Sequence, residues 1–231
     1  MEPDVDVLVI GAGACGLAAA ISAHDEGASV AILEKRDRPG GNSSLSTGSV
    51  PGAGTRFQRE AGIEDSPQRM IDDLSAIADA TDDPALLRRM AEVSAPTVEW
   101  LVDMVGARMT LITAYKHIGH TERRLHAPKS RRGQDLVDDL LAAIERRDIP
   151  LAVGNSVEEL LVEGGRVVGA RVRAGADASL VRARKTILAV NGFAADRALV
   201  REHCPEIAGA DYFGALGSNG EAVKWGRTLG A

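Results

Sequence analysis

Three glycines near the amino terminus constrain the fold of this chain more than any other feature: Gly11, Gly13 and Gly16. They follow the apolar run 6–10 and precede the helix-forming run 17–23. A strand that leads through Gly-x-Gly-x-x-Gly into a helix is the context of a dinucleotide-binding turn. The first glycine makes the tight turn, the second lets a pyrophosphate approach the backbone, and the third lets the helix pack on the strand. The pattern predicts a βαβ unit whose second strand is residues 29–33.

An acidic residue follows that second strand. Glu34 comes 18 residues after Gly16, where a carboxylate accepts hydrogen bonds from the ribose hydroxyls of a nucleotide. The N–H groups at the start of the helix would face the pyrophosphate, at the positive end of the helix dipole. The residues of this unit that are predicted to hold a nucleotide are Gly11, Ala12, Gly13, Ala14, Cys15, Gly16, Glu34 and Lys35.

The segment after the second strand favours a flavin. Residues 38–49 contain the pair Gly40-Gly41 and then small polar residues, among them Asn42 and Ser43. Such a loop can lie beneath the second half of a dinucleotide and present hydroxyls and amides to a flavin, whereas a nicotinamide dehydrogenase more often continues into another helix. By itself the segment also fits a flexible glycine- and serine-rich loop. The glycine turn alone does not distinguish FAD from NAD.

Composition excludes several classes of protein. Apolar residues make up 45% of the 231 residues and charged residues 26%, which is typical of a globular chain rather than a disordered or fibrous one. The net charge of −6 argues against a general nucleic-acid or anionic-membrane binder. An acidic start and the lack of a long apolar segment argue against a signal peptide and a membrane span. With only two cysteines, the chain suits a reducing compartment, and we expect it in the cytoplasm.

Apolar periodicity and turn residues predict the remaining elements. Helices are predicted at 67–74, 84–90, 95–101, 134–147, from 194 onward and at 221–229. Strands are predicted at 150–153, 157–162, 166–172 and 185–190, the middle two joined by a hairpin at Gly164-Gly165. Residues 36–54 and 115–132 are predicted to be loops.

Several spaced motifs resemble one known family. They are Gly40-Gly-Asn-Ser-x-x-x-x-Gly48, then Thr55-x-x-Gln58-x-x-x-Gly62-Ile63-x-Asp65-Ser66, then Arg124-Leu-His126-x-Pro128 and Gly192-Phe193. Together they resemble the flavoprotein family of fumarate reductase and succinate dehydrogenase, most closely its soluble flavocytochrome-type branch, over residues 6–231. The resemblance implies a three-layer α/β, Rossmann-like FAD/NAD(P)-binding domain of the glutathione-reductase type. Its parallel sheet would carry helices on one face and a small antiparallel meander, residues 157–182, on the other, and residues 1–231 would form one domain.

The resemblance also implies which residues hold FAD. The glycine turn and Glu34 would hold the ADP half, and the backbone of Val157 would contact the adenine. The turn after Ala189, with Asn191 and Gly192, would pass near the pyrophosphate. The residues implied to approach the ribityl chain and the isoalloxazine are Asn42, Ser43, Thr47, Gly48, Ser49 and Glu221. The chain departs from the family at Ser49, Asn191 and Glu221, where relatives carry other residues.

The implied activity is transfer of hydride equivalents between FAD and a small, carboxylated substrate. An NAD(P)-dependent dehydrogenase and a catalytically inactive flavin-binding fragment or subunit are the alternatives. Relatives carry a capping domain with the proton donor after the position of Ala231, so we expect this chain to lack the C-terminal portion of the same protein. Without that portion, residues 1–231 are not expected to reduce a dicarboxylate.

The basic segment around Arg124 and His126 has two interpretations. The resemblance implies a substrate-facing role for these two side chains, whereas the composition of residues 115–132 is typical of a solvated loop. No metal site is predicted there, because no cysteine is near and more ligands would be needed. The acidic pairs Asp72-Asp73, Asp82-Asp83 and Asp138-Asp139 are predicted to be solvated helix faces rather than catalytic pairs.

Overall fold

The computed structural model describes residues 2–77 and 83–230, so Asp82 of the acidic pair at 82–83 lies outside the described residues. In chain order the elements are β1 (Val5–Ile10), α1 (Ala14–Asp25), β2 (Val30–Leu33), α2 (Gly41–Leu45), β3 (Val50–Pro51), α3 (Arg56–Glu60), α4 (Pro67–Ile77), α5 (Pro84–Trp100), β4 (Met109–Leu111), β5 (Leu125–Pro128), α6 (Gly133–Glu145), β6 (Leu151–Ala152), β7 (Asn155–Glu163), β8 (Arg166–Ala174), β9 (Asp177–Leu188), α7 (Arg197–His203) and α8 (Glu221–Leu229).

The chain divides into two compact units. The first unit comprises Met1–Leu45 and Leu140–Ala231, and the second unit comprises Ser46–Asp139. The single domain predicted over residues 1–231 stays a prediction.

A six-stranded sheet organises the first unit, in the order β6-β2-β1-β9-β8-β7. Strands β6, β2, β1 and the second half of β9 are parallel, while β7, β8 and the first half of β9 form an antiparallel meander. The apolar runs of β1 and β2 explain the parallel part, because strands buried on both faces need continuous apolar sequence. Leu8 and Val9 are fully buried, and Trp225 of α8 packs into the core that contains Leu8. The predicted α/β fold with a parallel sheet and a small meander is confirmed.

Strand β9 is longer than predicted. Its residues Ala183–Leu188 pair with β1, whereas Asp177–Arg182 pair with β8. The sequence indicated only the apolar part from Lys185, because the first half carries exposed polar residues that do not alternate regularly. One strand therefore joins the parallel sheet to the meander.

The second unit contains a three-stranded antiparallel sheet in the order β3-β5-β4, with helices α3, α4 and α5. Two loop predictions are wrong: residues 36–54 include α2 and β3, and residues 115–132 include β5. All four residues of β5 are buried, although the polar sequence around it concealed the strand. Strand β5 forms because β3 and β4 pair with its two edges.

The two helices predicted at 84–90 and 95–101 are one helix, α5, which continues through Pro96. A proline inside a helix removes one backbone hydrogen bond and normally ends or kinks the helix. Here Ala91 and Val98, on either side of the proline, are fully buried and hold the helix in the core of the second unit. A π-helical turn, Leu101–Val105, follows α5 and ends at Gly106, whose φ is 79°. Among the described helices, none is both long enough and apolar enough to cross a bilayer.

Candidate cofactor site

The glycine turn between β1 and α1 has two positions that the fold itself requires. Gly11 has a φ of 104°, and a Cβ there would lie 2.4 Å from the carbonyl oxygen of Ala189. A Cβ on Gly16 would lie 1.9 Å from the carbonyl oxygen of Gly11. Both distances are too short for carbon and oxygen atoms. Gly16 thus lets α1 pack closely against the turn after β1, the role predicted for the third glycine, whereas Gly11 lets the turn approach the backbone that follows β9.

Gly13 differs from the other two glycines because it has free space around it. A Cβ there would meet only the carbonyl oxygen of Gly40 and the hydroxyl of Ser43, each at 3.7 Å, which is ordinary van der Waals contact. Its φ of −76° and ψ of 175° suit any residue. Protein packing therefore does not explain a glycine at this position, whereas close approach of a pyrophosphate does.

The segment after β2 folds back onto the glycine turn. Gly40 pairs with Gly13 in an isolated parallel bridge, and its N–H donates to the carbonyl oxygen of Ala12 at 2.8 Å. The Ser43 hydroxyl accepts a hydrogen bond from the Ala14 N–H at 3.1 Å. The N–H groups of Cys15 and Gly16 have no intrahelical acceptor, because they lie at the start of α1. The turn thus presents N–H groups and a partial positive charge, which suit an anion.

Glu34 is fixed beside this turn. The residue is 9% exposed. Its Oε2 accepts a hydrogen bond from the Ala12 N–H and its Oε1 accepts one from the Arg36 N–H, both at 2.9 Å. A carboxylate offers about four acceptor positions, so two remain for other donors. The carboxylate is held in place before any ligand arrives and can accept from ribose hydroxyls.

A cavity of about 890 Å³ opens in the first unit beside the turn and Glu34. Its volume lies within the range of small-molecule and cofactor sites. The predicted residues that line it are Gly11, Gly13, Cys15, Glu34, Lys35, Gly40, Gly41, Asn42, Ser43, Val157, Ala189, Asn191 and Glu221. Ala12, Ala14, Gly16 and Gly192 belong to the adjoining backbone and do not line the cavity. Of these, Ala12 and Gly16 are buried.

Sequence reasoning missed one stretch of the cavity wall. Residues 214–218 line the cavity, as does Trp225 of α8. Gly214 and Gly217 in this stretch, with Gly220 just after it, are a signal that the sequence offered, because clustered glycines allow backbone to approach a ligand. The stretch is far from the glycine turn in sequence, so no local pattern connects the two.

The three remaining residues implied to approach the flavin, Thr47, Gly48 and Ser49, belong to the second unit. The hydroxyls of Thr47 and Ser49 are 2.9 Å apart and share a hydrogen bond. Gly48 has a φ of 65°, and a Cβ there would lie 3.1 Å from the Cα of Gly133. The approach of this segment to the isoalloxazine stays a prediction.

The structure corrects the substrate-facing role and the solvated-loop interpretation of Arg124. Its side chain is fully buried in the second unit, where Nε donates to Asp65 Oδ2 at 2.7 Å and Nη2 donates to Asp65 Oδ1 at 2.9 Å. Nη1 is hydrogen-bonded to Asp73. Three of the five N–H groups of Arg124 are hydrogen-bonded to two carboxylates, and its side chain has no exposed surface at which a substrate could bind. Arg124 therefore holds together the core of the second unit.

His126 is corrected in the same way, because its side chain is also fully buried. Nδ1 lies 2.8 Å from the carbonyl oxygen of Arg124, and Nε2 lies 3.0 Å from the hydroxyl of Thr55. A carbonyl only accepts hydrogen bonds, so Nδ1 carries the proton and Thr55 donates to Nε2. Burial lowers the pKa of His126 below its usual range, which favours the neutral ring in the folded chain.

The acidic pairs at 72–73 and 138–139 are each only half solvated. Asp72 and Asp138 are exposed as predicted, whereas Asp73 and Asp139 are buried. Asp139 accepts hydrogen bonds from the backbone N–H and the Nε of Arg108, both at 2.9 Å. Burial by itself raises the pKa of Asp73, but hydrogen bonds from Thr121 and Arg124 outweigh it and hold that pKa below its usual range.

Acidification is therefore expected to destabilise the second unit. A histidine whose pKa is lowered on folding stays neutral while the unfolded chain takes up a proton, so stability falls once the pH drops below about 6.5. The lowered pKa of Asp73 adds a further loss below about pH 3.8. Urea unfolding at pH 7.5 and pH 5.0 checks this, and His126→Gln is expected to reduce the difference. His24→Gln, at a partly exposed site in the first unit, is the control, and an equal reduction there would contradict the assignment.

A glycine turn with an acid fixed beside it defines the class of dinucleotide-binding proteins. Comparison with known families makes the assignment specific, because the family described as FAD binding domain matches residues 6–231. The chain belongs to this family and is an FAD-binding domain. The expected cofactor, FAD, is thereby confirmed.

Three curated relatives show the same relationship. The chain is 36% identical to NADH:fumarate oxidoreductase of Klebsiella pneumoniae over 229 residues, 98% of this chain and 24% of the relative. It is 34% identical to fumarate reductase (cytochrome) of Shewanella frigidimarina, over 89% of this chain and 36% of the relative. It is 31% identical to urocanate reductase of Eggerthella lenta, over 94% of this chain and 37% of the relative. The expected resemblance to fumarate reductase flavoproteins is confirmed, and the chain spans about a quarter to two fifths of the length of these relatives.

Two solved structures share the fold. A flavocytochrome c3 fumarate reductase in its open conformation superposes with a TM-score of 0.91 at 27% identity, over 99% of this chain and 41% of that one. A 3-ketosteroid-Δ4-(5α)-dehydrogenase from Rhodococcus jostii RHA1 superposes with a TM-score of 0.88 at 26% identity, over 100% of this chain and 55% of that one. Proteins named for different substrates thus share the fold of this domain.

Proposed function

We propose that this chain holds FAD for an oxidoreductase that passes hydride equivalents between the flavin and a small, carboxylated substrate. The observation that carries the proposal is the fixed Glu34 beside a glycine turn with free space at Gly13, in a chain that belongs to the FAD binding domain family. The curated relatives named above act, by their names, on fumarate or urocanate, which are both unsaturated carboxylates. We also propose that the protein is cytoplasmic. The proposed partner of this chain is a further portion of the same protein.

The residues of the first unit supply binding and orientation. The start of α1 would receive the pyrophosphate, Glu34 would accept from the ribose hydroxyls, and Val157 would lie at the adenine. The turn from Ala189 to Gly192 would approach the pyrophosphate from the other side. When bound, FAD accepts or donates the hydride, while the protein contributes position and electrostatics.

A substrate panel tests the substrate class. In the protein that contains this chain, fumarate or urocanate is expected to reoxidise the reduced flavin faster than 4-androstene-3,17-dione does. The steroid is the relevant comparison, because a ketosteroid dehydrogenase shares the fold of this domain. Rapid reoxidation by the steroid with none by the carboxylates would contradict the proposed substrate class.

Glu34→Ala tests the cofactor assignment. The variant loses the acceptor for the ribose hydroxyls, and its affinity for FAD is expected to fall by about 1–3 kcal/mol, which is roughly 5–150-fold. Titration with FAD, followed by quenching of flavin fluorescence, measures the change. Glu26→Ala, at an exposed glutamate just after the other end of α1, is the control. Equal affinity in Glu34→Ala and the wild type would contradict the role of Glu34.

We further expect that FAD is held without a covalent bond. Relatives that bond the flavin do so through a histidine six residues before the glycine that Gly48 matches, and Asn42 occupies that position here. An amide can form hydrogen bonds with the cofactor but cannot attach to the flavin ring. Acid precipitation of the loaded protein should leave the yellow colour in the supernatant, and a yellow pellet would show that the expectation is wrong.

A further inference from the structure

The stretch from Tyr212 to Ser218, which we call the strap, forms one wall of the cavity in the first unit. It has no helix or strand, and its residues Gly214 to Ser218 all line the cavity. Phe213 and Leu216 are 91% and 69% exposed, so apolar packing of these large side chains does not hold the strap in place. Polar contacts of the strap with Asn42 and Lys35 do hold it.

Both ends of the strap are anchored outside the cavity. Before it, the carbonyl oxygen of Ala210 accepts from Arg197 Nη1 at 2.6 Å. At its end, the carbonyl oxygen of Ser218 accepts from the Ala195 N–H at 2.9 Å, and the Ser218 side chain is buried. Gly220, just beyond, has a φ of 73°. Both ends of the strap are thus hydrogen-bonded to residues at or just before α7.

Asn42 fastens the middle of the strap on one side. Its Oδ1 accepts from the Ala215 N–H at 2.6 Å, and its Nδ2 lies 3.4 Å from the hydroxyl of Tyr212. That hydroxyl lies 3.1 Å from the carbonyl oxygen of Ala215 and 3.0 Å from the hydroxyl of Ser218, which closes the strap on itself. Asn42, which the resemblance places at the flavin, therefore uses its amide to hold the strap.

Lys35 fastens the strap on the other side. Its Nζ donates to the carbonyl oxygen of Gly217 and forms an ion pair with Glu221 Oε1 at the start of α8. Lys35 directly follows Glu34, so this contact links the ribose-binding end of the cavity to the strap. Glu221 Oε2 is buried and has no hydrogen-bond partner among the described residues.

We propose that the strap is a gate for FAD, and that Asn42 and Lys35 are positioning residues that set how fast FAD enters and leaves the cavity. The proposal rests on the FAD site of the proposed function. In this gate, FAD enters and leaves past the strap, so exchange requires both fasteners to release. The strap has to open in the empty protein before FAD enters and in the loaded protein before FAD leaves. Weakening either fastener therefore lowers the barrier to both binding and release of FAD.

Rates of FAD binding distinguish a gate from a direct contact. In Lys35→Met and Asn42→Ala, the association and dissociation rate constants are both expected to rise, by on the order of ten-fold, since each variant removes hydrogen bonds of the fastened state. The Kd is expected to change less than either rate constant does. If a residue only contacted bound FAD, its substitution would raise the dissociation rate constant alone. Stopped-flow quenching of flavin fluorescence measures association, and dilution of the loaded protein measures dissociation.

Two further variants complete the experiment. Lys35→Arg keeps the charge and the donors, so its rates are expected to approach those of the wild type. Lys185→Met makes the same charge change at an exposed position of β9 and is expected to leave both rates unchanged. A rise in the dissociation rate alone, or no change in either rate in both fastener variants, would overturn the gate while leaving FAD binding intact. Failure of the wild-type chain to bind FAD would overturn the proposed function and the gate together.

Discussion

Replacing Arg124 with methionine is expected to lower the free energy of unfolding by about 3–5 kcal/mol. The substitution leaves the carboxylates of Asp65 and Asp73 buried without their cation, and an uncompensated buried charge is among the most costly changes in a protein core. Both carboxylates keep other donors, since Gln58 Nε2 donates to Asp65 and the Thr121 N–H donates to Asp73, each at 2.8 Å. Those bonds limit the loss but do not neutralise the charges. Urea unfolding followed by circular dichroism measures the effect.

The neighbouring arginine supplies the control for this experiment. Arg123 is exposed, and Arg123→Met is expected to change stability by no more than about 0.5 kcal/mol. A loss below 1 kcal/mol in Arg124→Met would contradict the view that Arg124 is a structural residue of the second unit. Such a result would favour a substrate-facing role for Arg124 instead.

The two glycines Gly13 and Gly16 are expected to respond to alanine in opposite ways. Gly13→Ala should fold as the wild type does, because its Cβ meets nothing closer than 3.7 Å, yet its affinity for FAD should fall at least about ten-fold, or about 1.4 kcal/mol. The added methyl group occupies the space that the pyrophosphate needs. Gly16→Ala should lose stability instead, because its Cβ would lie 1.9 Å from the carbonyl oxygen of Gly11 and α1 would have to shift.

Measuring both properties for both variants separates the two roles. Thermal unfolding without FAD reports on packing, and titration with FAD reports on the site. Gly13→Ala with wild-type affinity would show that no pyrophosphate lies against this residue. Gly16→Ala with wild-type stability would show that the close packing of α1 on β1 is relaxed more easily than the geometry indicates.

The first βαβ unit could be predicted from sequence because its signals are local. The apolar run, the glycines, the helix-forming run and Glu34 lie within 34 residues, and each element contacts the next. The hairpin at Gly164-Gly165 was predictable for the same reason. Sequence predicts correctly whether a segment is a helix or a strand where its apolar periodicity and the turn residues a few positions away indicate the same structure.

The errors arose where partners lie far apart in the chain. Arg124 looked solvated among other basic residues, and only the fold brings it to Asp65 and Asp73, which are 59 and 51 residues away. The strap contacts Asn42 across more than 170 residues, so no window of sequence could reveal it. The acidic pairs at 72–73 and 138–139 each place one carboxylate outward and one inward, and sequence does not show which inward carboxylate contacts an arginine.

Co-elution of flavin with the purified chain tests the central claim most directly. After incubation with FAD and gel filtration, residues 1–231 are expected to carry close to one FAD per chain, seen as visible flavin absorbance under the protein peak. Incubation with NAD in its place is expected to leave no nucleotide on the protein. A protein peak without flavin absorbance, from a chain that circular dichroism shows to be folded, would contradict the account.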